Sequence, residues 1–137
     1  MNITKMHKID EKSVKNSKKL IRRVLSATID NPDNPDSLNF FQADTYRFYF
    51  LMSFMREAFE NNEISQEYAI SLVPKKFASR IKRLQVLKHA VKLGYIEEEQ
   101  STVDRRRRIY TPSERLLNDF IEYANDSDKA IKIDKAS

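Results

Sequence analysis

Four consecutive arginines, Arg105, Arg106, Arg107 and Arg108, follow one acid, Asp104. Upstream, between Tyr68 and Ile96, stand Lys75, Lys76, Arg80, Lys82, Arg83, Lys88 and Lys92 with no acidic residue among them. The formal charge of the whole chain is only +5, so the excess is concentrated in one stretch. Fields of like charges add when the charges lie within a Debye length of each other, and such a cluster is an electrostatic footprint for a polyanion. The residue types also suit recognition of base edges. Arg pairs bidentately with guanine and Gln with adenine, and Gln85 sits inside the basic stretch. The chemistry on offer is therefore binding of phosphates and bases.

Residues for bond-making chemistry are missing. There is no Cys, which removes disulfides, thiol catalysis and thiolate metal sites. The two histidines, His7 and His89, are not spaced as metal ligands. Gly94 is the single glycine, so no glycine-rich phosphate loop exists. Glu97, Glu98 and Glu99 alternate sides on a strand with nothing predicted to pair with them, which reads as a solvated edge. No nucleophile–base set is present. The expectation is a protein that is not an enzyme and needs no metal or cofactor. The N-terminus carries no apolar run of signal-peptide length, and no window approaches the roughly 20 apolar residues of a membrane span. A cytoplasmic protein without a membrane partner is expected.

The elements that must position the basic residues are mostly helical. One Gly and four Pro in 137 residues argue against a turn-rich β architecture. Residues 1–11 are polar and read as frayed. A helix is expected over Lys12–Ile29, then an Asn/Pro/Asp linker from Asp30 to Ser37, because residues before proline avoid helix. A helix capped by Asp44 or Thr45 should run to Asn61-Asn62. Its apolar face holds Phe48, Leu51, Met52, Met55, Ala58 and Phe59, while Tyr46, Tyr49, Phe50 and Phe54 fill the opposite side, so it must be covered on two sides. Ser65 starts a short helix to Leu72, and Pro74 interrupts the chain. Ser79 caps a longer helix with Ile81, Leu84, Leu87 and Val91 inward and Gly94 as its left-handed C-cap. Strands at Tyr95–Glu99 and Arg107–Thr111 flank a turn, Ser101–Asp104. Thr111-Pro112-Ser113 opens a last helix containing Leu116, Leu117, Phe120, Ile121 and Tyr123. The domains expected are residues 1–43 (helix and linker), 44–125 (the folded domain) and 126–137 (a loose tail).

Helix, short helix, basic helix, strand, basic turn, strand, helix is the order of a winged helix-turn-helix. The fold class is therefore mainly α with a small β-hairpin wing. An α-helix fits the major groove and reads base edges from its N-terminal half. The outward face expected for residues 79–93 carries Ser79, Lys82, Arg83, Val86 and His89, flanked by Arg80 and Gln85. Free backbone N–H groups in the first turn favour phosphate.

At these residues the sequence resembles the MarR family of transcription regulators, from about Tyr46 to Leu117. Gly94-Tyr95-Ile96 is followed, ten residues after the glycine, by Asp104-Arg105-Arg106, matching that family's helix end and its wing Asp-x-Arg. Thr111 matches the family's threonine before the next helix. The resemblance implies that Arg106 enters a minor groove and that Asp104 pairs with it or with the wing backbone. Where the family has a long pair of C-terminal helices for dimerisation, this chain has room for one.

The reading that follows is a double-stranded DNA-binding regulator, homodimeric on an inverted repeat. Lys75, Lys76, Arg105, Arg107 and Arg108 would meet phosphates. Ser79, Lys82, Arg83 and Gln85 would read the major groove, with Arg80 flanking them as a further DNA-binding residue in the first turn and Thr102 and Arg106 on the wing. Two alternatives share the fold: a protein-interaction module using the aromatic helix and the N-terminal helix, and a replication or plasmid-control protein with the same DNA chemistry. The run Arg105–Arg108, which an adaptor does not need, separates the first of these. The aromatic helix offers a place for a small-molecule effector, but no residue selects one.

Overall fold

The computed structural model describes residues 8–26 and 33–136, with side chains described as far as Asp126. The expected fraying of residues 1–7, the last turn of the first helix (27–29) and the start of the linker (30–32) lie outside the described residues. The chain divides into two compact units, Pro35–Phe120 and a second made of Met1–Asn34 with Ile121–Ser137.

In the second unit, helix α1 spans Glu11–Val24. Asp10 caps it, its carboxylate accepting from the Lys12 N–H at 2.9 Å. None of its residues is buried. Leu20, Ile21, Val24 and the following Leu25 are all exposed.

The unit Pro35–Phe120 is the winged helix. It opens with α2, Asp36–Gln42, which overlaps the expected linker at Asp36 and Ser37 and continues into a stretch where the sequence predicts no element. Pro35 occupies the N-cap, and Leu38 and Phe41, three residues apart, are fully buried. The unit therefore begins ahead of the expected boundary at Asp44. Helix α3 is Thr45–Phe59. Asp44 stands at its N-cap without making a side-chain cap bond; its carboxylate lies 3.5 Å from Arg47 instead. The buried face of α3 holds Phe50, Leu51, Phe54 and Met55, whereas Phe59, expected inward, is exposed. The rings of Phe41, Phe50 and Phe54 stack in sequence at 6.2 and 5.5 Å. They settle the facing of α3 in favour of the side that meets α2. Asn61, at φ +61°, ends the helix. The Asn62 N–H bonds the Glu57 carbonyl at 3.0 Å, and the Asn62 amide bonds the buried Glu57 carboxylate at 2.7 Å.

Helices α4, Gln66–Ser71, and α5, Arg80–Lys92, form the helix-turn-helix. Ser65 and Ser79 cap them, each hydroxyl accepting at 3.2 Å from the N–H three residues on. The end of α5 is a Schellman motif: Gly94, at φ +82°, bonds the Val91 carbonyl, and Tyr95 bonds the Ala90 carbonyl. Strands β1, Ile96–Gln100, and β2, Arg108–Pro112, pair antiparallel with Glu98 opposite Tyr110. Ser65 adds a bridge to Ile109, and the Tyr110 N–H bonds the Ile64 carbonyl at 2.9 Å. The segment that launches α4 is thereby stitched to the wing.

Helix α6 runs from Glu114 to Ala136. The Ser113 hydroxyl caps it on the Leu116 N–H at 3.1 Å, and Ser37 donates to Asp119 at 2.7 Å, fastening α2 to its first half. The loose tail expected for 126–137 is corrected: the backbone stays helical to Ala136. Asn125 to Asp128 are poor helix formers, but no Gly or Pro follows to stop the helix. Among the described residues no helix is long and apolar enough to cross a membrane.

Candidate nucleic-acid interface

The facing of α5 decides which of its residues can meet a ligand. Its buried positions are Arg83, Val86, Leu87 and Ala90. The exposed ones are Arg80, Ile81, Lys82, Gln85, Lys88, His89 and Lys92. This corrects the sequence reading by a partial turn. Ile81, expected in the core, is 68% exposed, and Arg83, expected on the outer face, is only 7% exposed. The cause is local. A short helix such as α4 leaves carbonyls without intrahelical donors at its C-terminal end. The Arg83 guanidinium supplies them, donating from Nη1 to the Ile70 oxygen at 3.0 Å and the Val73 oxygen at 3.3 Å. Arg83 is thus a brace between the two helices and leaves the set of candidate DNA contacts. Val86 follows it into the core.

Around the start of α5 the remaining candidates have distinct environments. Arg80 forms a two-pronged bond with Glu67 on α4, at 2.6 and 3.0 Å. That bond holds the Glu67 carboxyl below the usual carboxylate range. Lys75 and Lys76 are exposed in the connecting turn, Lys76 lying 5.1 Å over the Phe77 ring. Glu67, Lys75, Ser79, Arg80 and Arg83 line a common open cavity of about 540 Å³ at the elbow of the two helices. Lys82 and Gln85 project from the exposed face of α5, and their side chains have no partner among the described residues.

The wing is a folded loop. Buried Ser101 accepts at its hydroxyl from the N–H groups of Val103 and Asp104, at 3.2 and 3.3 Å, and its own N–H reaches the Arg107 carbonyl at 2.8 Å. Asp104 Oδ1 accepts from the Arg106 N–H at 3.0 Å. Gln100 donates to the Arg105 carbonyl at 3.1 Å. With the backbone occupied in this way, Thr102, Val103 and Arg105 to Arg108 are all exposed. The side chains of Arg105, Arg106 and Arg107 have no partner among the described residues.

A polar cluster that the sequence reading missed ties wing to helix. The Tyr110 hydroxyl, buried at the hairpin, donates to Glu98 Oε2 at 2.8 Å. Lys88 of α5 reaches the same carboxylate at 3.4 Å and the Tyr110 oxygen at 3.4 Å, and Gln66 of α4 lies 3.4 Å from that hydroxyl. Arg108 stands 3.9 Å from the other carboxylate oxygen. The Tyr110 bond, followed by the charge of Lys88, holds the Glu98 carboxyl below the usual range. Burial, then Glu98 itself, raises the Tyr110 hydroxyl far above that of a free tyrosine. Glu98 is therefore no solvated edge, while Glu97 and Glu99 on the other face of β1 are exposed. The legible signal was strand parity: Glu98 shares a face with neither neighbour and sits opposite an aromatic hydroxyl. Among the described residues no group of three or more His, Asp or Glu side chains is placed to hold a metal ion.

No family model matches the sequence, and no curated protein does. Among solved structures the chain is similar to the crystal structure of the adhesin competence repressor AdcR from Streptococcus pyogenes. The two are 10% identical, the match covers 90% of this chain and 80% of that one, and the TM-score is 0.42.

Proposed function

We propose that the protein is a sequence-specific double-stranded DNA-binding regulator of transcription, with α5 in the major groove and the wing at the adjacent minor groove. One observation carries the reading. Three neighbouring wing arginines, Arg105 to Arg107, are exposed without an acidic partner among the described residues. Like charges held side by side repel, and an anionic partner relieves that repulsion. DNA supplies a charge on each strand every few ångströms.

In this reading Lys75, Lys76, Arg105, Arg107 and Arg108 bind phosphates. Arg106 enters the minor groove, where narrow A·T-rich segments attract guanidinium groups. Ser79, Lys82 and Gln85 face base edges or the phosphates beside them. Thr102, exposed on the same loop, adds a hydroxyl to the DNA-facing wing, and Asp104 orients Arg106. Arg80 meets DNA with its charge partly answered by Glu67. The exposed apolar positions of α1, Leu20, Ile21, Val24 and Leu25, support assembly of two copies, and a twofold protein matches an inverted repeat.

The test is selection of the purified protein on random-sequence duplexes at two salt concentrations. A retained palindromic motif, bound more weakly as salt rises, is the expected result. Failure to retain any duplex at low salt overturns the reading and turns the same α1 surface into the evidence for a protein adaptor.

A further inference from the structure

Ile81 stands in the first turn of α5 with 68% of its surface exposed. It is the most exposed of the large apolar residues in the helices of the winged-helix unit. A single exposed apolar residue is common on protein surfaces and needs no explanation by itself. The setting of this one differs. One residue on lies Lys82 and one turn on lies Gln85, both exposed and with side chains that have no partner among the described residues. The helix keeps its other β-branched and leucine side chains, Val86, Leu87, Leu84 and Val91, buried or half-buried, so it has no shortage of core-facing positions. A flat apolar protein partner would call for apolar neighbours around Ile81 on the helix surface, and its exposed neighbours here are polar or cationic.

We infer that Ile81 is a specificity-determining residue that reads the C5-methyl group of a thymine. The inference rests on the proposed placement of α5 in the major groove. The thymine methyl is the one apolar feature that the major-groove edges of the four bases display, and apolar side chains are its partners. The N-terminal half of a recognition helix is the part that reaches base edges, and Ile81 is its second residue. Gln85, four residues on, lies on the same side of the helix and has the paired donor and acceptor that fit adenine N6 and N7. The two residues together select a thymine near an adenine. Ile81 supplies the methyl contact, and Gln85 supplies the hydrogen bonds.

The experiment uses the full chain and the duplex recovered by selection. Each thymine of a half-site is replaced singly by deoxyuridine, which removes only the methyl group, and affinity is measured for the natural protein and for Ile81→Ala. At one thymine the natural protein should lose about fourfold, the transfer value of one buried carbon of that size. Ile81→Ala should bind the thymine and uracil duplexes equally at that position and keep the natural response at the others. Because Ile81 is exposed and Ala favours helix, the variant folds. Discrimination that persists in Ile81→Ala, or its absence at every thymine while the duplex still binds, overturns the role of Ile81 and leaves DNA binding standing. If no duplex is recovered at all, the proposed function fails and this inference fails with it.

Discussion

Arg83 on α5 donates its guanidinium to the main-chain oxygen of Ile70 at 3.0 Å, joining the two helices of the helix-turn-helix at their elbow. A second bond, to Val73 at 3.3 Å, sits on the residue just before Pro74. The side chains of Arg105, Arg106 and Arg107 on the wing have no partner among the described residues, while Arg83 is engaged in the joint between α4 and α5.

Arg83→Ala should therefore destabilise the fold rather than disturb recognition alone. Removing a charged donor from buried carbonyls costs about 2 kcal/mol, on the order of 10 °C in the melting temperature of a unit this size. Thermal unfolding followed by circular dichroism measures it. An unchanged melting temperature combined with weakened DNA binding would return Arg83 to the contact surface.

The Glu98–Tyr110 bond gives a pH dependence with a definite sign. The folded-state carboxyl of Glu98 is lowered, first by the Tyr110 hydroxyl and then by Lys88. A lowered value means that the folded protein binds the proton less readily than the unfolded chain does. The stability it contributes is present above the ordinary carboxylate value, near 4.3, and is lost as pH falls through the lowered one. Tyr110→Phe should cost about 1.5 kcal/mol at neutral pH, and the gap to the natural protein should narrow below about pH 4. Denaturant unfolding at pH 7 and pH 3.5 is the check, and a gap that stays constant refutes the ionic part of the bond. On the alkaline side Tyr110, its hydroxyl raised by burial and by Glu98, should ionise well above the range of a free tyrosine in an ultraviolet titration.

Most of the architecture was legible because it rests on local signals. Ser65 and Ser79 cap their helices as their positions suggest, and Gly94 closes α5 in the left-handed conformation. The two strands fall within a residue of the expected spans. What escaped depends on tertiary partners. The sequence of α5 offers two apolar stripes, one through Ile81, Leu84, Leu87 and Val91, the other through Val86, Leu87 and Ala90 with Arg83 in line. Hydrophobicity favours the first, while the second buries Val86, Leu87 and Ala90 and lets Arg83 bond the carbonyls of Ile70 and Val73. The same holds for α2. Leu38 and Phe41 are two residues in a short segment beside prolines, too few for a periodic pattern, yet both are fully buried once Phe50 is there to receive them. At the candidate interface, the basic character was plain from composition, but the division between scaffold (Arg83), partly answered (Arg80) and, among the described residues, unpartnered (Lys82, Arg106) cations required the positions of Ile70, Val73 and Glu67.

Gly94 should tolerate a side chain sterically but not conformationally. Nothing lies within 4 Å of a Cβ built there, and its φ is +82°. Gly94→Ala should cost about 1 kcal/mol, the strain of a left-handed residue with a Cβ, and roughly 5 °C in melting temperature. Gly94→Asn should cost less, since Asn visits that region more readily. Equal melting temperatures for the natural protein and Gly94→Ala would show that the helix end rearranges without strain.

Asp104 separates positioning from charge on the wing. Its carboxylate accepts from the Arg106 N–H at 3.0 Å, so it fixes the backbone from which Arg106 projects, but it also places a negative charge where phosphates are proposed to approach. Asp104→Asn keeps an oxygen acceptor and removes the charge, and on repulsion alone it should bind duplex DNA as tightly as the natural protein or more tightly. Asp104→Ala removes the charge and the acceptor together. If the loop geometry matters, Asp104→Ala binds more weakly than Asp104→Asn by several-fold, about the worth of one hydrogen bond. Arg106→Ala, measured alongside, should reduce affinity without lowering the melting temperature. Arg105→Ala and Arg107→Ala, each removing a proposed phosphate contact, should each flatten the dependence of log affinity on log salt by about 0.9. Equal gains in Asp104→Asn and Asp104→Ala would show that Asp104 acts through its charge alone, and the orienting role would be withdrawn.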